Sequence, residues 1–290
     1  MKSNTYKLLH ISDTHIRNLK YHAEYRQIFE KIYQIAREQE VDYIVHCGDL
    51  AHTKTQLSPE YFELATDFLK NLADIAPTYI ILGNHDGNLK NDTRQDAITP
   101  IVQALQHQQL HLLKNSGEVH VNRDICFNVL SIFDEENWQE ISNKEKINIA
   151  LYHGSVSGVI TDTGWVMEHG DHDISIFEGF DYAFLGDIHK TNQVLDTEGR
   201  VRYPGSTIQQ NFGETNDKGF LIWEIQDKDT FKVKHYPIPN PRPFITIQLN
   251  ADGNLPDTRV PANSRLRLVC STHVPAKTLK KVTDIAKNTW

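Results

Sequence analysis

Carboxylate, imidazole and amide side chains gather at five places along the 290-residue chain: Asp13-Thr14-His15, Gly48-Asp49, Gly83-Asn84-His85-Asp86, His153 and Gly186-Asp187-Ile188-His189. A mixture of oxygen and imidazole-nitrogen donors suits a pair of divalent cations that keep positions open for water and substrate. A lone Asp-x-His or a single histidine-bearing loop is ordinary. Five such runs in one chain are harder to explain by structure alone, because each buried polar group would need partners of its own.

The elements around these runs bring them to one rim. Residues 8–12 read as a strand, and 24–38 as a helix with Ile28, Phe29, Ile32, Ile35 and Ala36 at helical spacing. Residues 43–47 read as a second strand. Ser58-Pro59 caps a helix that turns Phe62, Leu64, Ala65, Phe68, Leu69 and Leu72 inward, and residues 78–82 read as a third strand. That is a right-handed βαβ beginning. Asp13 and His15, Asp49, and Asn84 then leave the carboxyl ends of successive parallel strands, where open α/β sheets bind ligands. Later strands are expected at 124–130, 147–152, 180–185, 201–203 and 220–225. The third of these delivers Asp187 and His189, and the second delivers His153. Hairpin signals such as Gly199 and Pro204-Gly205 favour an α/β sandwich of two inner sheets with helices outside over an open Rossmann sheet.

Four prolines at 237, 239, 241 and 243 mark a boundary. The expected division is a catalytic domain over 1–236, a proline-rich linker over 237–243 and a basic capping domain over 244–290. The last, with strands at 244–249 and 265–270 and a helix at 277–287, is thin enough to be incomplete. Residues 231–290 carry ten Lys/Arg against three Asp/Glu, a balance of +7, which leaves −15 for residues 1–230. One end could meet a polyanion while the other concentrates carboxylates. Cys47, Cys126 and Cys270 are widely spaced and read as reduced thiols. No apolar run of about 18 residues is present to span a bilayer, and no signal-peptide stretch opens the chain, so a cytoplasmic address is the default expectation.

The segments LLHISDTHI, HCGDLAH, YIILGNHD, IALYHG, FLGDIHK and YPGSTIQQNFGE resemble the calcineurin-like metallophosphoesterases, and within them the SbcD-type DNA repair nucleases, over about residues 6–225. The resemblance implies a four-layer αββα sandwich with a small α+β cap. It implies two metal ions, one held by Asp13, His15, Asp49 and His189 and the other by Asp49, Asn84 and His153, with Mn2+ favoured over Mg2+. It further implies an exonuclease, with endonuclease action on single-stranded DNA, that serves DNA end processing beside an SMC-like ATPase of the SbcC type and can form a homodimer.

The residues support the same roles. Asp49 is the bridging candidate because one carboxylate can hold two ions about 3.5–4 Å apart. Asn84 coordinates without further reducing the positive charge of the cluster. His85 is placed to stabilise charge developing on phosphate and to protonate the leaving oxygen, with Asp86 expected to orient it through the other ring nitrogen. Asp187 stands where the family has histidine. As a ligand of the second ion it would tighten cation binding, weaken the pull on the attacking water and favour manganese or magnesium over zinc. Arg17, His22, His52, Lys190 and residues 203–212 are expected beside the centre as phosphate or base neighbours. Lys277, Lys280, Lys281 and Lys287 are candidate contacts to backbone phosphates. Two other readings stay open: a phosphoesterase for small nucleotides or phosphoproteins, and a DNA-binding subunit whose hydrolysis is weakened.

Overall fold

The computed structural model describes residues 5–91 and 93–289. The first half contains β1 (Tyr6–Ile11), α1 (His22–Glu38), β2 (Tyr43–Cys47), α2 (Pro59–Ala73), β3 (Thr78–Ile81), α3 (Thr99–Leu105), β4 (Leu110–Leu113), β5 (Gly117–His120) and β6 (Ile125–Leu130). The remainder comprises β7 (Ile147–His153), β8 (Tyr182–Gly186), β9 (Gln193–Val194), β10 (Val201–Tyr203), β11 (Gly219–Ile225), β12 (Phe231–Pro237), β13 (Phe244–Gln248), β14 (Arg265–Val269) and α4 (Ala276–Thr289). The Ser58 hydroxyl accepts the Tyr61 N–H at 3.2 Å, and Pro59 takes the first helical position of α2, where its missing N–H costs nothing.

Two six-stranded sheets form, in the orders β12-β11-β1-β2-β3-β4 and β5-β6-β7-β8-β10-β9. Strands β1 to β4 run parallel with level ends: Ile11 pairs with His46, and His46 with Ile80. In the second sheet β6, β7 and β8 are parallel, and His153 pairs with Gly186. Level ends bring the following loops out together, so one rim collects residues from both sheets.

Side-chain alternation builds the layers. Leu8, Val45, Ile81, Phe127, Leu151, Phe184 and Trp223 fill the space between the sheets. Leu9, Ile11, Ile28, Ile32, Phe68 and Leu72 fill the space between the first sheet and its helices. The outer face of the second sheet is covered by the long connection after β7, whose Val156, Val159 and Phe177 pack on Tyr152, Leu185 and Tyr203. The two-sheet α/β sandwich is therefore the one expected, although in place of an α-helix this connection carries a 3-10 turn at Ile174–Phe177. Strands β4, β5, β9 and β12 and the seven-residue α3 were not foreseen. Short or half-exposed segments of this kind present too few buried positions to establish a period.

Strands β13 and β14 pair in parallel and, with α4, make the small C-terminal unit. The proline segment before it is fastened down: the Ile238 N–H donates to Lys218 O at 2.6 Å and the Asn240 N–H to Asn216 Oδ1 at 2.8 Å. Gln209 bonds both backbone groups of Phe244, donating to its carbonyl at 3.0 Å and accepting its N–H at 2.9 Å. Phe244 also packs edge-on against Tyr21 and Phe212, and Arg265 pairs with the buried Glu24 of α1. The small unit thus leans on the loops that leave β1 and β10.

Candidate metal centre

Backbone geometry at the rim is unusual. Asp13, His15, Asp49 and Asp187 all have positive φ, of 51°, 48°, 57° and 103°. Non-glycine residues rarely adopt such angles, and a fold retains them where surrounding structure over-determines the local conformation. The surroundings here are hydrogen bonds between strand ends. Asp13 N–H donates to Gly48 O at 3.0 Å, and His15 N–H to Asp49 O at 3.0 Å. The Asp187 N–H donates to both oxygens of Asp13, at 3.2 and 3.0 Å. Glycine is required where the loops touch: a Cβ on Gly48, at φ 86°, would lie 2.5 Å from His153 Nδ1 and 2.9 Å from Gly83 Cα.

These constraints bring the side chains of both sheets into one knot. The Nε2 atoms of His15 and His189 stand 3.0 Å apart, and each faces Asp13 Oδ1, at 3.8 and 4.0 Å. Asp49 offers one oxygen to each side: Oδ2 lies 3.6 Å from His15 Nε2, and Oδ1 lies 3.4 Å from His153 Nε2. Asp187 Oδ1 is 3.8 Å from His153 Nε2. Donors bound to one ion at roughly 2.0–2.2 Å sit about 3–4 Å from each other, and these separations match. Asn84 Oδ1 and His153 Nε2 are buried without a hydrogen-bond partner. Such orphaned acceptors are costly in a protein interior and are what a cation would satisfy.

The far nitrogens set the tautomers. His153 Nδ1 lies 2.7 Å from Cys47 O, and His189 Nδ1 lies 2.8 Å from Glu214 Oε1. Each ring donates outward there and turns its Nε2 lone pair into the knot, as metal-binding histidines do. Electrostatics point the same way. Burial raises the Asp13 carboxyl above its usual range and lifts Asp187 to about 6. Burial opposes His153 ionisation, yet the Asp49, Asp13 and Asp187 charges raise it well above the ordinary histidine value. Asp49 is itself held below the usual carboxylate range: burial pushes upward, but His153 and His15 outweigh it. The three carboxylates set up a negative potential at His153 that a cation would relieve. Divalent cations suit this potential and the donor types, with Asp13 and His189 beside His15 on one side of Asp49 and Asp187 beside His153 on the other, while Asn84 Oδ1 is a further buried acceptor.

His85 lies at the mouth with its ring exposed. Its backbone N–H donates to Asp49 Oδ1 at 2.8 Å, and its Nδ1 is 2.7 Å from His52 O, which leaves Nε2 as the ring nitrogen outside that contact. The role expected for Asp86 is corrected by this contact, because the His52 carbonyl holds the ring. Asp86 is fully buried and accepts backbone N–H groups from Gly83, Asp49, Leu50 and Ala51 at 2.8 to 3.3 Å. It staples the β2 and β3 loops together.

Other residues named from sequence take several places. The His52 ring stands 5.7 Å from His15 and 6.1 Å from His85, on the rim. His22 Nε2 meets Arg17 O at 2.6 Å. Tyr203 is buried and donates to Gly154 O at 2.7 Å, while Thr207 donates to Ser12 O at 2.8 Å, so much of 203–212 supports the β1 and β7 loops. Glu214 and Lys218 were not assigned roles from sequence. Glu214 orients His189, and the fully buried Lys218 donates to His189 O at 2.7 Å while pairing with Asp162 at 2.8 Å. Glu214 lies 25 residues from the histidine it holds, and nothing in the local pattern links the two.

The fold and this site define a metal-assisted phosphoester hydrolase architecture. The chain belongs to the calcineurin-like phosphoesterase family, whose model matches residues 6–276. It is 35% identical over 277 residues to an uncharacterized protein of Acanthamoeba polyphaga mimivirus, covering 90% of this chain and 20% of that one. It is 28% identical over 216 residues to the DNA double-strand break repair protein Mre11 of Saccharolobus solfataricus, covering 67% and 52%. The chain therefore spans a fifth of the first relative and about half of the second. A Plasmodium structure described as GAP50, the anchor in the inner membrane complex, shares the fold at TM-score 0.51 and 15% identity, covering 80% of this chain and 84% of that one. Among the described residues no helix is long and apolar enough to cross a membrane.

Proposed function

We propose that this protein is a metal-dependent DNA phosphodiesterase, an exonuclease with single-strand endonuclease action in DNA end processing. The observation that carries the hydrolytic part is the gathering of carboxylate and imidazole donors from the ends of β1, β2, β7 and β8 around Asp49, with His85 at the mouth. The choice of DNA is supported by the similarity to a relative named for double-strand break repair and by the motif resemblance.

Bound divalent ions would supply charge at the phosphate and make water more acidic; a donor set of carboxylate, amide and imidazole, free of thiolate, favours Mn2+ or Mg2+. The chain's own groups do the rest. Asp49 fixes both halves of the donor set, and its Oδ1 also accepts the His85 N–H, so His85 is positioned by the same carboxylate. With Nδ1 donating to the His52 carbonyl, Nε2 is the ring nitrogen left to exchange a proton: it takes one up to form the imidazolium, which can hand it to a leaving oxygen. Glu214 and the Cys47 carbonyl keep His189 and His153 in the donor tautomer.

A second reading, a phosphoesterase for small nucleotides or phosphoproteins, is favoured by the balance of −15 over residues 1–230, which works against a long polyanion. Parallel assays with Mn2+, Mg2+ and Zn2+ on labelled single-stranded DNA, cyclic nucleotides and phosphopeptides separate the two. DNA should be cleaved fastest, with Mn2+. His85→Ala should lower turnover by about 10²–10⁴-fold while the metal content by elemental analysis stays the same. Preferential hydrolysis of the small substrates would replace the DNA reading with the second.

A further inference from the structure

Arg17 leaves the β1 loop two residues after His15, and its guanidinium is placed in an unusual way. Its Nη1 lies 2.9 Å from His52 Nε2, and its Cζ stands 5.7 Å from the centroid of the Tyr21 ring. Its Nε is buried with no hydrogen-bond partner. Other arginines near acids are neutralised: Arg26 by Glu63 and Asp67, Arg200 by Glu198 and Asp229, and Arg265 by Glu24. Among the described residues no carboxylate forms an ion pair with Arg17. A permanently charged group, partly buried and held in place by its contact with His52, is thus left without a counter-ion at the edge of a carboxylate-rich centre.

Arg17 sits on a firmly held segment. The His22 ring meets its backbone carbonyl at 2.6 Å, the Ile16 N–H beside it donates to Leu50 O at 2.8 Å, and the His52 N–H returns to Ile16 O at 3.1 Å. These bonds lock the β1 and β2 loops together, and the guanidinium is held against His52, whose ring stands 5.7 Å from His15 and 6.1 Å from His85. Guanidinium N–H groups in a planar fork match phosphate oxygens. In Arg17 their contact is with His52 rather than with His15 or His85, which sets them apart from the residues that would face the group undergoing hydrolysis.

We propose that Arg17 binds a phosphate of the substrate strand that flanks the scissile one, so that the site selects polynucleotides over esters with a single phosphate. The proposal rests on the phosphodiesterase reading above and deepens it. The Arg17–His52 contact makes His52 a positioning residue for the guanidinium.

The test measures binding of a labelled, phosphorothioate-linked single-stranded oligothymidylate to the Mn2+-loaded protein by fluorescence anisotropy across a salt series. Losing one phosphate contact from a single strand flattens the plot of log affinity against log salt by about 0.7. Arg17→Met should show that change together with a loss of affinity on the order of tenfold at low salt. Arg17→Lys should restore the slope but only part of the affinity, because an ammonium keeps the charge and loses the fork. An unchanged slope in Arg17→Met, with thermal unfolding like wild type, overturns the assignment. So does a fall in kcat on bis(p-nitrophenyl) phosphate as large as the loss of oligonucleotide affinity, since that would put the guanidinium on the scissile group. If wild type with Mn2+ hydrolyses neither that ester nor DNA, the phosphodiesterase reading fails, while the slope still judges Arg17.

Discussion

At the scale of residues, the centre concentrates opposite demands in very little space. Burial raises the proton affinity of Asp13 and Asp187, the neighbouring carboxylate charges add to it, and His153 becomes a strong base among them. Asp187 is the member whose contribution is most open to measurement. It is more exposed than Asp13 or Asp49 and reaches His153 Nε2 at 3.8 Å. If it holds an ion, Asp187→Ala should reduce metal stoichiometry by elemental analysis from two per chain towards one at limiting Mn2+. Asp187→His should restore occupancy and shift preference towards Zn2+, the softer ion. Full two-metal occupancy in Asp187→Ala would remove this residue from the ligand set.

At the scale of elements, the strand ends matter more than the strands. Parallel pairing with level ends brings the β1, β2 and β3 loops into contact, and the contact leaves no room for side chains at Gly48 or Gly83. Gly48→Ala adds a methyl group where φ is 86° and where His153 Nδ1 and the Gly83 backbone already stand. The expected cost is about 1–3 kcal/mol in unfolding free energy from backbone strain. Metal affinity by calorimetry should fall with it, because His153 must move. A surface control such as Gly158→Ala, also at positive φ but with open space around it, should lose stability without losing metal. Equal metal affinity in wild type and Gly48→Ala would show that the close approach does not position the donors.

At the scale of the whole molecule, buried histidines outside the centre tie stability to pH. His10 lies between the sheets, stacked on Phe184 at 4.6 Å with Nε2 3.0 Å from Leu185 O, and burial lowers its pKa to about 3. His46, also fully buried, is lowered to about 3 by the same cause. The folded state keeps both neutral, whereas the unfolded chain protonates them near pH 6.5. Their contribution is therefore complete above about pH 6.5 and is lost as pH falls towards 3, at about 1.4 kcal/mol per pH unit for each ring. Urea unfolding at several pH values should show that decline, and His10→Phe, which retains the stacking, should make it shallower by about one proton. An identical slope in the variant would contradict the buried neutral ring.

Donor types were legible in the sequence because carboxylate, amide and imidazole groups follow strand-like runs, and an apolar alternation of two or 3.6 marks those runs wherever a face is buried. Asp13, His15, Asp49, Asn84, His153, Asp187 and His189 could be named from this, as could the βαβ opening and the two-sheet class. Local pattern could not say which carboxylate orients which histidine. Glu214 reaches His189 across 25 residues, Lys218 reaches Asp162 across 56, and Asp86 turns from its neighbour His85 to the backbone of the β2 loop. Side-chain chemistry and periodicity are local properties, so the sequence determined the donors and the strands that carry them. Tautomers, partners, left-handed backbone angles and the unpaired charge of Arg17 depend on which strand ends meet in space, and only the tertiary structure decided those.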